Sequence, residues 1–144
     1  IKRGHEIWCP PSLEDFVRMN FSNIAPQVFD SFNLKYSPID VLCSVGGDGT
    51  ILSTLPLIND SNIPVFPINT GRLGFLATLS PPEISSALDT VLNGNYRIEN
   101  RSLVAVESEM DFFDGKGFGL NEVGIMKTDT SSMITIKAFV EICR

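Results

Sequence analysis

A strand that ends in a glycine-rich turn sets the architecture of this chain. Ile39-Asp40-Val41-Leu42-Cys43-Ser44-Val45 is mostly apolar, as expected of a strand buried on both faces of a parallel sheet. Gly46-Gly47-Asp48-Gly49-Thr50 follows as a turn, and Ile51 to Ile58 reads as a helix. Asn59 to Asn62 ends that helix, and Ile63-Pro64-Val65-Phe66-Pro67-Ile68 is a second strand, made an imperfect central strand by its prolines. A strand–helix–strand crossover sets its two strands parallel, with their carboxyl ends pointing the same way. Ligands of open parallel sheets bind beyond those ends, which is where the glycine-rich turn lies.

The flanking segments follow different grammars. His5 to Trp8 reads as a short strand, and Ser12 is placed to cap a helix whose apolar face is Leu13, Phe16 and Val17. Residues 20–37 are punctuated by Asn23, Pro26 and Asn33 and read as loops with room for a short helix. Ser80-Pro81-Pro82-Glu83 starts another helix, with Ile84, Leu88, Val91 and Leu92 at helical spacing and Asn93-Gly94 closing it. Beyond about residue 96, Leu103–Glu107, Phe118–Met126 and Met133–Ile142 read as strands with no helix between them. The expectation is an α/β domain over residues 1–100 followed by antiparallel β structure from residue 101 to 144.

The turn itself suggests phosphate chemistry. Gly46, Gly47 and Gly49 let the backbone approach an anion closely, and the N–H groups that open the next helix face it. Asp48 is out of place beside phosphates unless it accepts a proton from an attacking hydroxyl or holds a magnesium ion. A tight turn capped by Asp48, without ligand, is the competing reading. No Gly-Lys-Ser/Thr ends the turn, and it is no Gly-x-Gly-x-x-Gly fingerprint.

Bulk properties narrow the partners. A formal net charge of −6 argues against an extended nucleic-acid surface. No apolar run approaches the ~20 residues that cross a bilayer, and nothing reads as a secretory signal. Cys9, Cys43 and Cys143 are odd in number and widely spaced, which fits reduced, mostly buried thiols in a cytoplasmic protein. His5 is the only histidine, which excludes a histidine-rich zinc site or a Ser-His-Asp triad elsewhere.

Three motifs carry a resemblance. Gly46-Gly47-Asp48-Gly49-Thr50 resembles the signature shared by NAD kinases, diacylglycerol and sphingosine kinases and phosphofructokinases. Asn69-Thr70-Gly71-Arg72-Leu73-Gly74-Phe75-Leu76 resembles the N-x-G-x-L-G-F-L pattern of NAD kinases, and Leu120-Asn121-Glu122-Val123 resembles their Asn-Glu motif. The Gly-Asn-Asp segment of the lipid kinases is absent. The order and spacing of the three motifs identify the chain as similar to the NAD kinase family.

The resemblance implies a Rossmann-like parallel-sheet domain and then the first strands of an all-β domain, a β-sandwich that binds substrate. It implies transfer of the ATP γ-phosphoryl group to the adenosine 2′-hydroxyl of NAD, with a divalent ion, Mg²⁺, accompanying ATP. Asp48 would be the base. Gly46, Gly47, Gly49 and Thr50 would hold phosphates, and Asn69, Phe75, Asn121 and Glu122 would contact nucleotide. Phe75 is otherwise an ordinary core residue, Asn121-Glu122 a polar hairpin pair, and Arg72 either a phosphate partner or a solvated side chain. Departures are equally definite. The strand and helix that precede this region in the family, its Asp-Gly segment and its Thr-Pro-x-Gly-Ser-Thr-Ala-Tyr-like loop are missing, and Ser132 stands where many members have a basic residue. The chain is expected to be a fragment bearing the phosphate-side half of the site, a homo-oligomer when full length. A diacylglycerol-type kinase and a non-catalytic nucleotide-binding module are the alternatives.

Overall fold

A computed structural model describes residues 4–29, 34–71, 74–76, 79–110, 112–113, 117–128 and 133–141. Trp8–Cys9 (β1) begins the order, one to three residues later than the sequence suggests, and pairs in parallel with Gln27–Val28 (β2). The β2 strand falls in the weakly patterned segment, and two residues are too few to carry a periodicity. Between them, Pro11–Asn20 forms α1. Ser12 is not its cap: the helix starts at Pro11, whose fixed φ suits the first helical position, with Pro10 as the residue before it. The expected apolar face of α1 forms but stays uncovered, with Leu13 and Phe16 exposed and no residue of the helix buried.

The centre of the fold is the strand–helix–strand unit. Leu42–Gly46 (β3) pairs in parallel with Val65–Asn69 (β4), in register from Leu42 opposite Val65 to Gly46 opposite Asn69. Asp48–Ile58 (α2) makes the crossover, so the helix opens three residues earlier than the apolar run indicates. Pro67 is tolerated within β4, opposite Ser44. The core gathers Phe29, Leu34, Leu42 and Ile63 with Trp8, Ile39, Leu57 and Ile58 packed around them. Burying an aliphatic side chain of this size contributes ~1.5–3 kcal/mol.

β3 corrects one expectation: it is buried on one face only. Leu42 and Ser44 point inward, whereas Cys43 and Val45 are exposed. The cause is cover. α2 lies against this sheet, while the contacts of α1 are with β1. Cys9 is a buried free thiol as expected, Cys43 an exposed one, and Cys143 lies outside the described residues.

A short 3-10 turn, Pro81–Glu83, leads into Ile84–Leu92 (α3). Here the sequence reading holds in detail. The Ser80 N–H donates to Glu83 Oε2 at 3.1 Å, the Ser80 hydroxyl donates to the same oxygen, and the chain leaves through Gly94 at φ +74°. Val104–Ala105 (β5) and Phe118–Gly119 (β6) then pair antiparallel. These two-residue strands replace the longer runs expected over 103–107 and 118–126. Residues 133–141 belong to no ladder among the described residues, because a strand needs a neighbour to accept its N–H groups. Ile142, the end of that expected strand, lies outside the described residues. An open cleft of about 640 Å³, lined by apolar side chains together with Arg97, Glu99, Asn100 and Arg101, lies between α2, β4 and residues 96–103.

Candidate functional site

The site is assembled at the carboxyl end of β3. Gly46 closes the strand and Gly47 precedes α2, leaving Asp48 as the first helical residue with no side chain capping the helix. The Thr50 N–H donates to the Gly47 carbonyl at 3.0 Å, which tightens the turn. Gly46 is required by close approach: a Cβ there would lie 2.1 Å from Thr50 Oγ1 and 2.8 Å from Thr50 Cβ. Gly47 and Gly49 differ, since a Cβ at either meets nothing within 4 Å. Their open side is the one on which an anion can reach the backbone.

The second motif leaves β4 directly beside this turn. Asn69 is opposite Gly46 in the ladder, and the Thr70 N–H donates to the Gly46 carbonyl at 3.3 Å. Asn69 is buried, and its Oδ1 accepts the Gly71 N–H at 2.9 Å, so its side chain shapes the turn out of the strand.

The strongest link is between the two motifs. Asp48 Oδ2 accepts the Phe75 N–H at 2.7 Å and Oδ1 accepts the Leu76 N–H at 3.1 Å. Phe75 is 94% exposed, which excludes the ordinary core role. One residue therefore holds the carboxylate with its backbone and offers an uncovered aromatic face to solvent. Asn121 and Glu122 stand exposed just after β6, and their part in the site rests on their motif rather than on a contact. Arg72 and Ser132 lie outside the described residues.

Sequence reasoning quoted Gly74 within the second motif without giving it work. In the structure the Asp48 carboxylate fills the space that a Cβ at Gly74 would occupy. The signal was the position of the glycine immediately before the phenylalanine, but only the fold says which side chain fills the space. Among the described residues no group of three or more His, Cys, Asp or Glu is gathered to hold a metal ion. No helix among the described residues is long and apolar enough to cross a membrane.

Known proteins share this stretch of sequence. Residues 30–96, which contain both linked motifs, match the family model of the ATP-NAD kinase N-terminal domain. An NAD kinase of Cytophaga hutchinsonii is 38% identical over 120 residues, 82% of this chain and 41% of that protein. One from Bacteroides fragilis is 35% identical over 141 residues, 96% of this chain and 48% of the relative. A third, from Porphyromonas gingivalis, is 43% identical over 100 residues, 69% of this chain and 34% of its own length. The chain thus spans less than half the length of these curated relatives. With a parallel crossover opened by a glycine-rich turn, a match to this family model and these NAD kinase relatives, the chain belongs to the NAD kinase family.

Proposed function

We propose that the protein carrying this chain is an NAD kinase, which moves the γ-phosphoryl group of ATP onto the adenosine 2′-hydroxyl of NAD and releases NADP and ADP. The observation that carries the reading is the Asp48 carboxylate held at 2.7 Å by the backbone of Phe75, whose ring is exposed. A base and an adenine-sized aromatic face are fixed to one another at the mouth of a glycine-rich turn.

In the proposed step the ribose 2′-hydroxyl gives its proton to Asp48 as its oxygen attacks the γ-phosphorus. The new O–P bond forms in line with the breaking bond to the β–γ bridging oxygen, and ADP leaves with that electron pair. Gly46, Gly47, Gly49 and Thr50 line the phosphate side, the open flanks of Gly47 and Gly49 admitting the anion to the backbone. Mg²⁺ enters with ATP and neutralises charge on the triphosphate. Phe75 stacks adenine, Asn69 holds the shape of the turn, and Asn121 with Glu122 meets polar groups of the nucleotide. Positioning and charge stabilisation supply most of the rate, and general-base help supplies ~10²–10⁴-fold.

The same reading extends to the architecture. Residues 1–100 form a Rossmann-like nucleotide-binding domain, and residues 101–144 begin an antiparallel β domain that binds substrate. One observation supports the second part: β5 and β6 pair antiparallel. The assembled protein is cytoplasmic and homo-oligomeric, with NAD and ATP as its partners and neither nucleic acid nor membrane.

The test is label transfer from γ-labelled Mg-ATP by the full-length protein, with NAD and a diacylglycerol offered together. Label is expected in NADP and is expected to fall ~10²–10⁴-fold in Asp48→Asn, while NAD binding stays within a few-fold. Label in the lipid would assign a lipid kinase instead. Folded protein that binds NAD and transfers nothing would be a binding module, with Asp48 a turn residue.

A further inference from the structure

We propose that Gly74 is a positioning residue, and that it forms with the Phe75 and Leu76 amides a seat that fixes the Asp48 carboxylate relative to the Phe75 ring. This rests on the reading of Asp48 as the base of an NAD kinase. An Asp at the first position of a helix has several staggered χ1 rotamers open to it. Two N–H groups from one stretch of chain, at 2.7 and 3.1 Å on different oxygens, select one. Hydrogen bonds to a carboxylate are among the strong ones, and two of them constrain rotation as well as position.

The glycine is what lets the stretch come close enough. A Cβ at Gly74 would lie 2.2 Å from Asp48 Oδ1, 2.5 Å from Cγ and 2.6 Å from Oδ2. All three carboxylate atoms occupy that space, so a methyl group displaces the whole group and with it both bonds. Gly47 and Gly49, in the same site, have no such neighbour within 4 Å. Three glycines near one carboxylate therefore do different work: two leave a side open, and Gly74 makes room for the base.

The consequence is a division of labour inside one residue. The Phe75 N–H sets where the proton acceptor stands, and the Phe75 ring sets where the adenosine stands. Both hang from one Cα, so the spacing between base and substrate is a property of the backbone of the second motif rather than of flexible side chains.

Steady-state kinetics on the full-length protein separates the two parts. In Gly74→Ala, kcat is expected to fall ~10²-fold, the scale of a ~1 Å misplacement, with the KM for NAD within ~3-fold of the parent. In Phe75→Leu, which keeps the N–H and loses the ring, the KM for NAD should rise ~5–100-fold, the scale of base–aromatic stacking. A Gly74→Ala enzyme that keeps its kcat within ~3-fold overturns the seat and leaves the kinase reading standing. A parent enzyme that phosphorylates no NAD sinks the kinase reading before either variant is compared. Should Gly74→Ala fail to fold, amide resonances carry the test. In Asp48→Asn the Phe75 and Leu76 N–H signals should move upfield as they lose a charged acceptor, and unmoved signals overturn the proposal.

Discussion

Residues 42–69 and residues 101–141 both carry strand-like patterns, and they reach different ends. In the first region five residues of β3 pair with five of β4, and α2 lies against the sheet. In the second, β5 and β6 pair over two residues each, residues 133–141 join no ladder among those described, and Met133, Phe139 and Val140 are 99%, 89% and 84% exposed. The crossover makes the difference. A strand–helix–strand unit brings its own partner strand and its own cover within a short stretch of chain. Successive strands without helices must find both elsewhere. Periodicity states what a side chain is suited to bury, and it does not state what will cover it.

Beyond Asp48→Asn and Gly74→Ala, the largest effect expected from this contrast is on stability. Leu42 is buried in the core, 8% exposed, beside Leu34 and Ile63. Leu42→Ala should cost ~2–5 kcal/mol through lost transfer energy and the cavity left behind, read from the shift of a urea midpoint at constant slope. A loss below ~1 kcal/mol would mean that the first region is as loosely held as the second.

The second region sharpens the contrast from the other side. Phe139→Ser in the 144-residue chain should change stability by less than ~0.5 kcal/mol, as at other exposed sites. Amides of residues 133–141 should exchange with solvent far faster than those of residues 43–46. In the full-length protein, where the proposed β domain supplies neighbours, the same substitution should cost ~1–3 kcal/mol. Equal effects in both settings would remove the β domain as the cover for this face.

What could be read from the sequence divides along the same line. The parallel pair, the crossover helix and the α3 cap were all legible, because each depends on residues near one another in the chain or on one crossover. The single-sided burial of β3 was not. Cys43 and Val45 are as apolar as a two-faced strand requires, and their exposure follows from α1 contacting β1 instead of this sheet. β2 was missed because Gln27–Val28 is too short to alternate. The part played by Gly74 was invisible for another reason: a glycine announces that space is needed without naming what occupies it. Asn121 and Glu122 mark the limit in the other direction, a motif clear in sequence whose side chains stand in solvent.

The smallest expected effect tests whether local devices of the first region act independently of its core. Ser80 and Glu83 close a capping box before α3, whereas α1 opens at Pro11 with no side-chain cap. Ser80→Ala should therefore cost ~1 kcal/mol, and Ser12→Ala, inside the first turn of α1, close to nothing. The carboxylate adds a pH signature. The Ser80 hydroxyl first, and then the Ser80 N–H, hold the Glu83 carboxyl below its ordinary range. A depressed folded-state value means that ionised Glu83 stabilises the fold at pH above the unfolded value of ~4.3. That contribution fades as pH falls below it toward the folded value. Glu83→Gln keeps an acceptor for the N–H and removes the charge. The parent should be the more stable of the two at neutral pH, and their unfolding midpoints should converge in acid. A difference that stays constant from neutral pH down through the carboxylate range would show that the bond, and not its charge, holds this helix start.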